Sequence, residues 1–164
     1  MIASDAVVEE VLRGPGETYM HGITYGGNPT SCAAGLANLA IMEREDVLGN
    51  VRRNEDHFRE QMERLLTLPF VGDVRGAGYH WTLELVTDKN LRVWAGQPDA
   101  QEFVTNTLAP ALKAAGVLCR AAVDQGGSPL IQVAPPLILD REEIDWLCGT
   151  IAEVLEEAGR SAVA

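Results

Sequence analysis

Between Met20 and Gly35 the chain reads MHGITYGGNPTSCAAG, a glycine-rich turn that runs directly into a helix start. Two start signals coincide at Asn28-Pro29: asparagine is a good N-cap, and proline fits the first helical position, where no N–H is needed. Such a turn leaves backbone N–H groups unpaired and directs the positive end of the helix dipole at whatever lies before it, which suits a phosphate. The Thr24 hydroxyl adds one donor, so the stretch outlines an anion site formed by Thr24 and the backbone N–H groups near Ile23 and Gly26. An ordinary loop-to-helix connection with Thr24 capping locally fits the same spacing. The pattern is neither G-x-x-x-x-G-K-[ST] nor a strand-linked G-x-G-x-x-G, so spacing alone leaves both open.

Other chemistry-bearing residues form no cluster. His21, His57 and His80 fall on a loop, a helix face and a strand, which suggests no catalytic or metal pairing. Cys32, Cys119 and Cys148 are odd in number, widely spaced and without a C-x-x-C pair, so neither a disulfide framework nor a zinc site is indicated. Trp81, Trp94 and Trp146 read as core or interface residues.

The elements that must position these residues follow from periodicity and breakers. Asp5–Leu12 reads as a short helix ended by Gly14-Pro15-Gly16. The Pro29 helix runs to about Glu43, with an inner face of small residues at Ala33, Ala34, Ala37 and Ala40. Val47, Val51, Phe58, Met62 and Leu65 recur at helical spacing, so Asp46–Leu66 is a long amphipathic helix. On its outer face Glu55, Asp56, Glu60 and Glu63 interleave with Arg52, Arg53, Arg59 and Arg64, a solvated surface of i,i+4 pairs. After Pro69 the period changes: Val71–Arg75 and Tyr79–Val86 read as strands hinged at Gly76-Ala77-Gly78.

Asp99–Ala115 is expected to be helical, kinked or split at Pro110 and ended by Gly116. Val117–Arg120 and Leu130–Val133 read as short strands joined by the turn residues Asp124–Pro129. Asp140 and Glu143 resemble a capping box that opens a last helix to about Gly159. Helices covering a small sheet on one side predict an α/β or α+β fold.

Composition limits the partners. With 164 residues and 46% hydrophobic content the chain can bury one core. Its net charge of -11, with basic residues not clustered, disfavours nucleic acid and anionic membrane surfaces. MIASDAVVEEV has neither a basic n-region nor an apolar h-region, and no stretch is long enough to span a bilayer, so a soluble protein of the reducing cytoplasm is expected.

The segment HGITYGGNPTSCAAGLANLAI resembles the part of fold-type I, class III aminotransferases in which a T-[YF]-x-G-[HN]-P stretch follows the lysine that carries pyridoxal 5'-phosphate. MIASDAVVEEV is similar to the strand end and helix shortly after that lysine. VGDVRGAGYHWTLELV is similar to the strand pair that opens the family's C-terminal small domain, and GVLCRA with LIQVAPPLIL to its closing strands. The resemblance implies that residues 1–45 are a remnant of the large pyridoxal-phosphate-binding domain and residues 46–164 the small domain with its long connecting helix.

It also implies roles. Thr24 occupies the place of the threonine that hydrogen-bonds the cofactor phosphate, typically that of the partner subunit, with the Ile23 backbone N–H beside it. Arg120 occupies the place of an arginine that, in the amine and ω-amino acid branch, swings in to pair with a substrate carboxylate and out for an apolar group. That role needs a permanently charged, bidentate fork on a mobile stem. Ornithine, acetylornithine and 4-aminobutyrate branches instead carry an arginine in a pattern like I-R-F-x-P, where this chain has Gln132. The resemblance therefore points to the ω-amino acid:pyruvate or amine:pyruvate branch. Arg75, in R-G-A-G-Y, reads as a structural residue pairing a strand end or a carboxyl group.

Transamination of this type requires the cofactor lysine and an aspartate that keeps the pyridine nitrogen protonated. The chain's only lysines, Lys89 and Lys113, match no such motif, and in the family those residues lie upstream of the similarity. The implied reading is the C-terminal part of a transaminase, inactive alone, whose lysine comes from a longer gene product or from a second chain of a split enzyme. A catalytically dead, free-standing interaction domain is the alternative.

Overall fold

The computed structural model describes residues 4–14, 16, 22, 24, 26–91, 93–94 and 99–163, the last three by backbone alone. The chain divides into two compact units, Met1–Ile41 and Met42–Ala164. Helix α1 spans Asp5–Val11, and α2 spans Pro29–Arg44. The Asn28 side chain caps α2 by accepting from Ser31 N–H at 3.1 Å, as the Asn-Pro signal predicts. Neither helix has a buried residue, so the small-residue face expected to pack inward is exposed.

The second unit is built around a four-stranded antiparallel sheet in the order β1-β2-β4-β3. Its strands are β1 (Val71–Ala77), β2 (His80–Leu85), β3 (Arg120–Val123) and β4 (Pro129–Val133). Alternation in β2 sends Trp81, Leu83 and Leu85 to one face, where they meet Ile131 and Val133 of β4. Helices α3 (Val47–Arg64), α4 (Ala100–Phe103), α5 (Ala109–Ala114) and α6 (Arg141–Val163) supply the rest of this core through residues such as Phe58, Met62, Phe103, Leu112, Ile144 and Ile151. Phe58 meets Tyr79 edge to face, with ring centroids 5.3 Å apart.

Local rules account for the element ends. Asp99 caps α4 through Gln101 and Glu102 N–H, and the Asp140/Glu143 capping box forms both reciprocal bonds at 3.0 Å. The helical run is divided, as expected, just ahead of Pro110: a single wide turn with i→i+5 bonding, Val104–Leu108, separates α4 from α5. That wider turn accommodates the missing N–H and the ring of the proline.

One strand differs from expectation. Val117–Arg120 was the expected extent, whereas β3 begins at Arg120. Gly116, at φ 85°, terminates α5 in a left-handed cap, and Val117 N–H bonds back to the Leu112 carbonyl at 2.9 Å, so the chain after Gly116 closes a helix before it can join a sheet. The hairpin to β4 is then set by Asp124, whose backbone N–H donates to Ser128 O at 3.0 Å and whose side chain accepts from Ser128 N–H at 2.9 Å.

Candidate functional site

The sheet face opposite the core carries a row of polar side chains. Strand register places Arg75 of β1 opposite Thr82 of β2, Thr82 opposite Gln132 of β4, and Gln132 opposite Arg120 of β3. The two arginines at the ends of this row sit in different electrostatic surroundings. Arg75 Nη1 donates to Glu84 at 2.8 Å and to Asp73 at 2.6 Å, contacts that hold its guanidinium still more firmly protonated. It is the carboxyl-pairing, structural arginine that R-G-A-G-Y suggests. Arg120 is exposed, donates to Gln132 Oε1 at 3.0 Å, and has no carboxylate partner among the described residues. Its charge is therefore uncompensated and free to meet an anion.

Beyond β4 the segment Pro135–Leu139 is pinned to α3 by a polar network absent from the sequence reading. Asn50 Nδ2 donates to Leu137 O at 2.9 Å and Leu139 O at 3.0 Å, and its Oδ1 accepts from Asn54 Nδ2 at 3.0 Å. Tyr79 Oη donates to the same Leu139 carbonyl at 2.9 Å. Burial raises the Tyr79 pKa, while the neighbouring Asn54 and Asn50 side chains oppose that rise. The signal was present: Asn50 and Asn54, four apart, interrupt the apolar stripe of Val47, Val51 and Phe58, and polar residues on a core-facing stripe need partners.

Thr24 lies in an exposed turn, and its hydroxyl has no partner among the described residues. A Cβ built on Gly22 or on Gly27, which has φ 73°, would meet nothing within 4 Å, so the surrounding turn is open. A free hydroxyl donor in an open, glycine-lined turn before a helix fits a phosphate chemically. Ile23 and His21 lie outside the described residues.

The other candidates fall into no common site among the described residues. His57 Nε2 pairs with Asp145 at 2.7 Å between α3 and α6. His80 is exposed, and no group of three metal-ligating side chains occurs among the described residues. Lys89 Nζ donates to Leu66 O at 2.6 Å, and Lys113 is exposed near the end of α5. Trp81 is in the core and Trp94 stacks on Phe103 at 4.7 Å, whereas Trp146 is 57% exposed beside an apolar cleft lined by Val117, Pro135 and Pro136. Burial pushes the Cys119 thiol up, which favours its protonated form. On α3 the expected i,i+4 ladder is replaced by Arg59–Asp56 at i,i+3 and by Arg53 reaching back to Asp46. Asp46 holds a left-handed conformation at φ 48° that brings its carboxylate to Arg53, and that bond keeps its pKa below the usual range. No helix among the described residues is long and apolar enough to cross a membrane.

Comparison with known proteins shows the family to which the chain belongs. The aminotransferase class-III family model matches residues 1–155. A "Probable aminotransferase" of Mycobacterium tuberculosis is 42% identical over 161 residues, which cover 98% of this chain and 34% of that protein. The structure of an (S)-enantioselective omega-transaminase from Thermomicrobium roseum superposes with a TM-score of 0.75 at 32% identity, over 94% of this chain and 33% of that one. A PMP-bound aminotransferase from Vibrio fluvialis superposes with a TM-score of 0.74 at 26% identity, over 96% of this chain and 32% of that one. The chain thus spans about a third of the length of the proteins it matches. Sequence and fold agree along nearly all of it, and the chain belongs to the class III aminotransferases.

Proposed function

We propose that this chain is the C-terminal portion of a pyridoxal-phosphate-dependent transaminase that moves an amino group between an amine or ω-amino acid and a keto acid such as pyruvate. The observation that carries this reading is an exposed arginine without a carboxylate partner, Arg120, in a chain that matches the class III family over residues 1–155. Residues 1–45 belong to the large cofactor domain and residues 46–164 form the small domain. Class III aminotransferases depend on pyridoxal phosphate, and when bound the cofactor supplies the electron sink that lets an amine carbon give up its proton.

The candidate residues then divide the work. The Thr24 hydroxyl and the Ile23 backbone N–H hold the cofactor phosphate, across a homodimer interface in the assembled enzyme. Arg120 binds the substrate carboxylate through two parallel N–H bonds and leaves its place when the substrate carries an apolar group instead. Arg75, held by Glu84 and Asp73, stays in the sheet and takes no part in binding. The lysine that carries the cofactor comes from residues outside this chain, within the same polypeptide or a partner.

The test uses the 164-residue chain with pyridoxal phosphate. Alone, it should develop no absorbance of lysine-bound cofactor and transfer no amino group to pyruvate. Borohydride trapping of one cofactor per chain on Lys89 or Lys113 would overturn the proposal.

A further inference from the structure

The pairing of Arg120 with a neutral side chain points to a second residue that governs the carboxylate site. Arg120 and Gln132 stand directly opposite each other on adjacent antiparallel strands, and the 3.0 Å bond between them joins a charged donor to an uncharged acceptor. At the other end of the same row Arg75 is held by two carboxylates. A guanidinium held by carboxylates loses both charge attraction and hydrogen bonds when it leaves, whereas one held by an amide oxygen at an exposed site gives up a single bond that water replaces. The row thus contains one fixed arginine and one releasable arginine, and the acceptors that hydrogen-bond each guanidinium decide which is which.

We propose that Gln132 is a positioning residue that docks Arg120 through its amide oxygen, keeping the guanidinium at the sheet edge with its charge uncompensated and so available to a substrate carboxylate. This rests on the reading of Arg120 as the carboxylate anchor. The side chain at 132 has narrow requirements. A carboxylate there would neutralise Arg120 and compete with the substrate. A lysine or arginine would place like charges directly opposite across the ladder, which is destabilising. An aliphatic residue would leave the guanidinium without a resting place. An uncharged acceptor of glutamine's reach meets all three demands.

The experiment compares Gln132→Glu, Arg120→Ala and the double variant in the holoenzyme, with pyruvate and an uncharged aldehyde as acceptors. Gln132→Glu should lower kcat/KM for pyruvate about two- to fivefold, the strength of an exposed ion pair, through KM and with kcat unchanged. Aldehyde turnover should stay at wild type, which also reports intact folding. High salt should restore the pyruvate value, and with Arg120→Ala in place Gln132→Glu should have no further effect. In the 164-residue chain itself, Gln132→Glu should stabilise against urea at low salt only when Arg120 is present. An equal loss for both acceptors, or an effect of Gln132→Glu that persists without Arg120, would overturn the docking role while leaving the anchor standing. If Arg120→Ala alone leaves the pyruvate-to-aldehyde ratio at wild type, the anchor reading fails, and the docking role fails with it.

Discussion

Replacing Asn50 by alanine tests whether the loop behind the sheet is held as the structure indicates. The substitution removes three hydrogen bonds: those to Leu137 O and Leu139 O, and the one accepted from Asn54. At a net value of about 0.5–1.5 kcal/mol each, the sum is about 1.5–4.5 kcal/mol. Two features narrow it. The Leu137 carbonyl is exposed, so water takes over that bond, and the Leu139 carbonyl keeps Tyr79 as a donor. The Asn54 amide, only 8% exposed, loses its acceptor with little water to replace it. The expected loss is therefore about 1.5–3 kcal/mol, or about 3–12 °C in Tm for a chain of this size.

Urea unfolding followed by Trp81 fluorescence measures it, because Trp81 is 2% exposed and sits in the core of the same unit. Tyr79→Phe and Asn50→Ala share the Leu139 carbonyl as acceptor. Combining them strips it of both donors, so the double variant should lose more than the sum of the singles. A loss below about 0.5 kcal/mol for Asn50→Ala, or strict additivity with Tyr79→Phe, would refute the network as a source of stability. The same loop directly follows β4, so loosening it also loosens the strand that carries Gln132.

Two further outcomes are expected. Arg120→Ala in the holoenzyme should cost about ten- to a hundredfold in kcat/KM for pyruvate, the value of a charged, bidentate contact, and leave uncharged aldehydes little changed; equal losses for both acceptors would remove Arg120 from the site. Burial pushes the Cys148 thiol from 9.0 up to about 12, so the folded chain holds a proton that the unfolded chain releases. Its stabilisation is complete below pH 9.0 and is lost as pH rises toward about 12, at up to about 1.4 kcal/mol per pH unit. Tyr79 and Cys119 are raised too and steepen the same alkaline decline. Cys148→Ala should remove one proton's share of the slope in urea titrations above pH 9.0, and an unchanged slope would refute the burial argument.

What could be read without coordinates was whatever depends on neighbours in the chain. Asn28-Pro29 opens a helix and Asp140/Glu143 forms a capping box because the bonding groups lie three residues apart, within reach before any tertiary structure exists. The apolar period of α3 and the alternation of β2 are visible for the same reason, and the ordered motifs that mark the family are strings of adjacent residues. Arg120 was legible by type and place, yet its strand was expected to end there rather than begin, because the helix cap at Gly116 uses a bond from Val117 back to Leu112.

Tertiary structure decided the partners. Arg120 meets Gln132 only because the Asp124–Ser128 turn sets the register of a hairpin, and a slip of one residue would turn Gln132 to the other face. Arg75 is neutralised by Glu84 from the next strand, Asn50 reaches carbonyls 87 and 89 residues away, and His57 finds Asp145 at a separation of 88. The charge state of a site depends on what faces it. In this protein the partners come from neighbouring strands and distant helices whose pairing is chosen by burial of one shared core, so the sequence could nominate Arg75 as fixed and Arg120 as mobile but could not name the carboxylates that hold the one or the amide that meets the other.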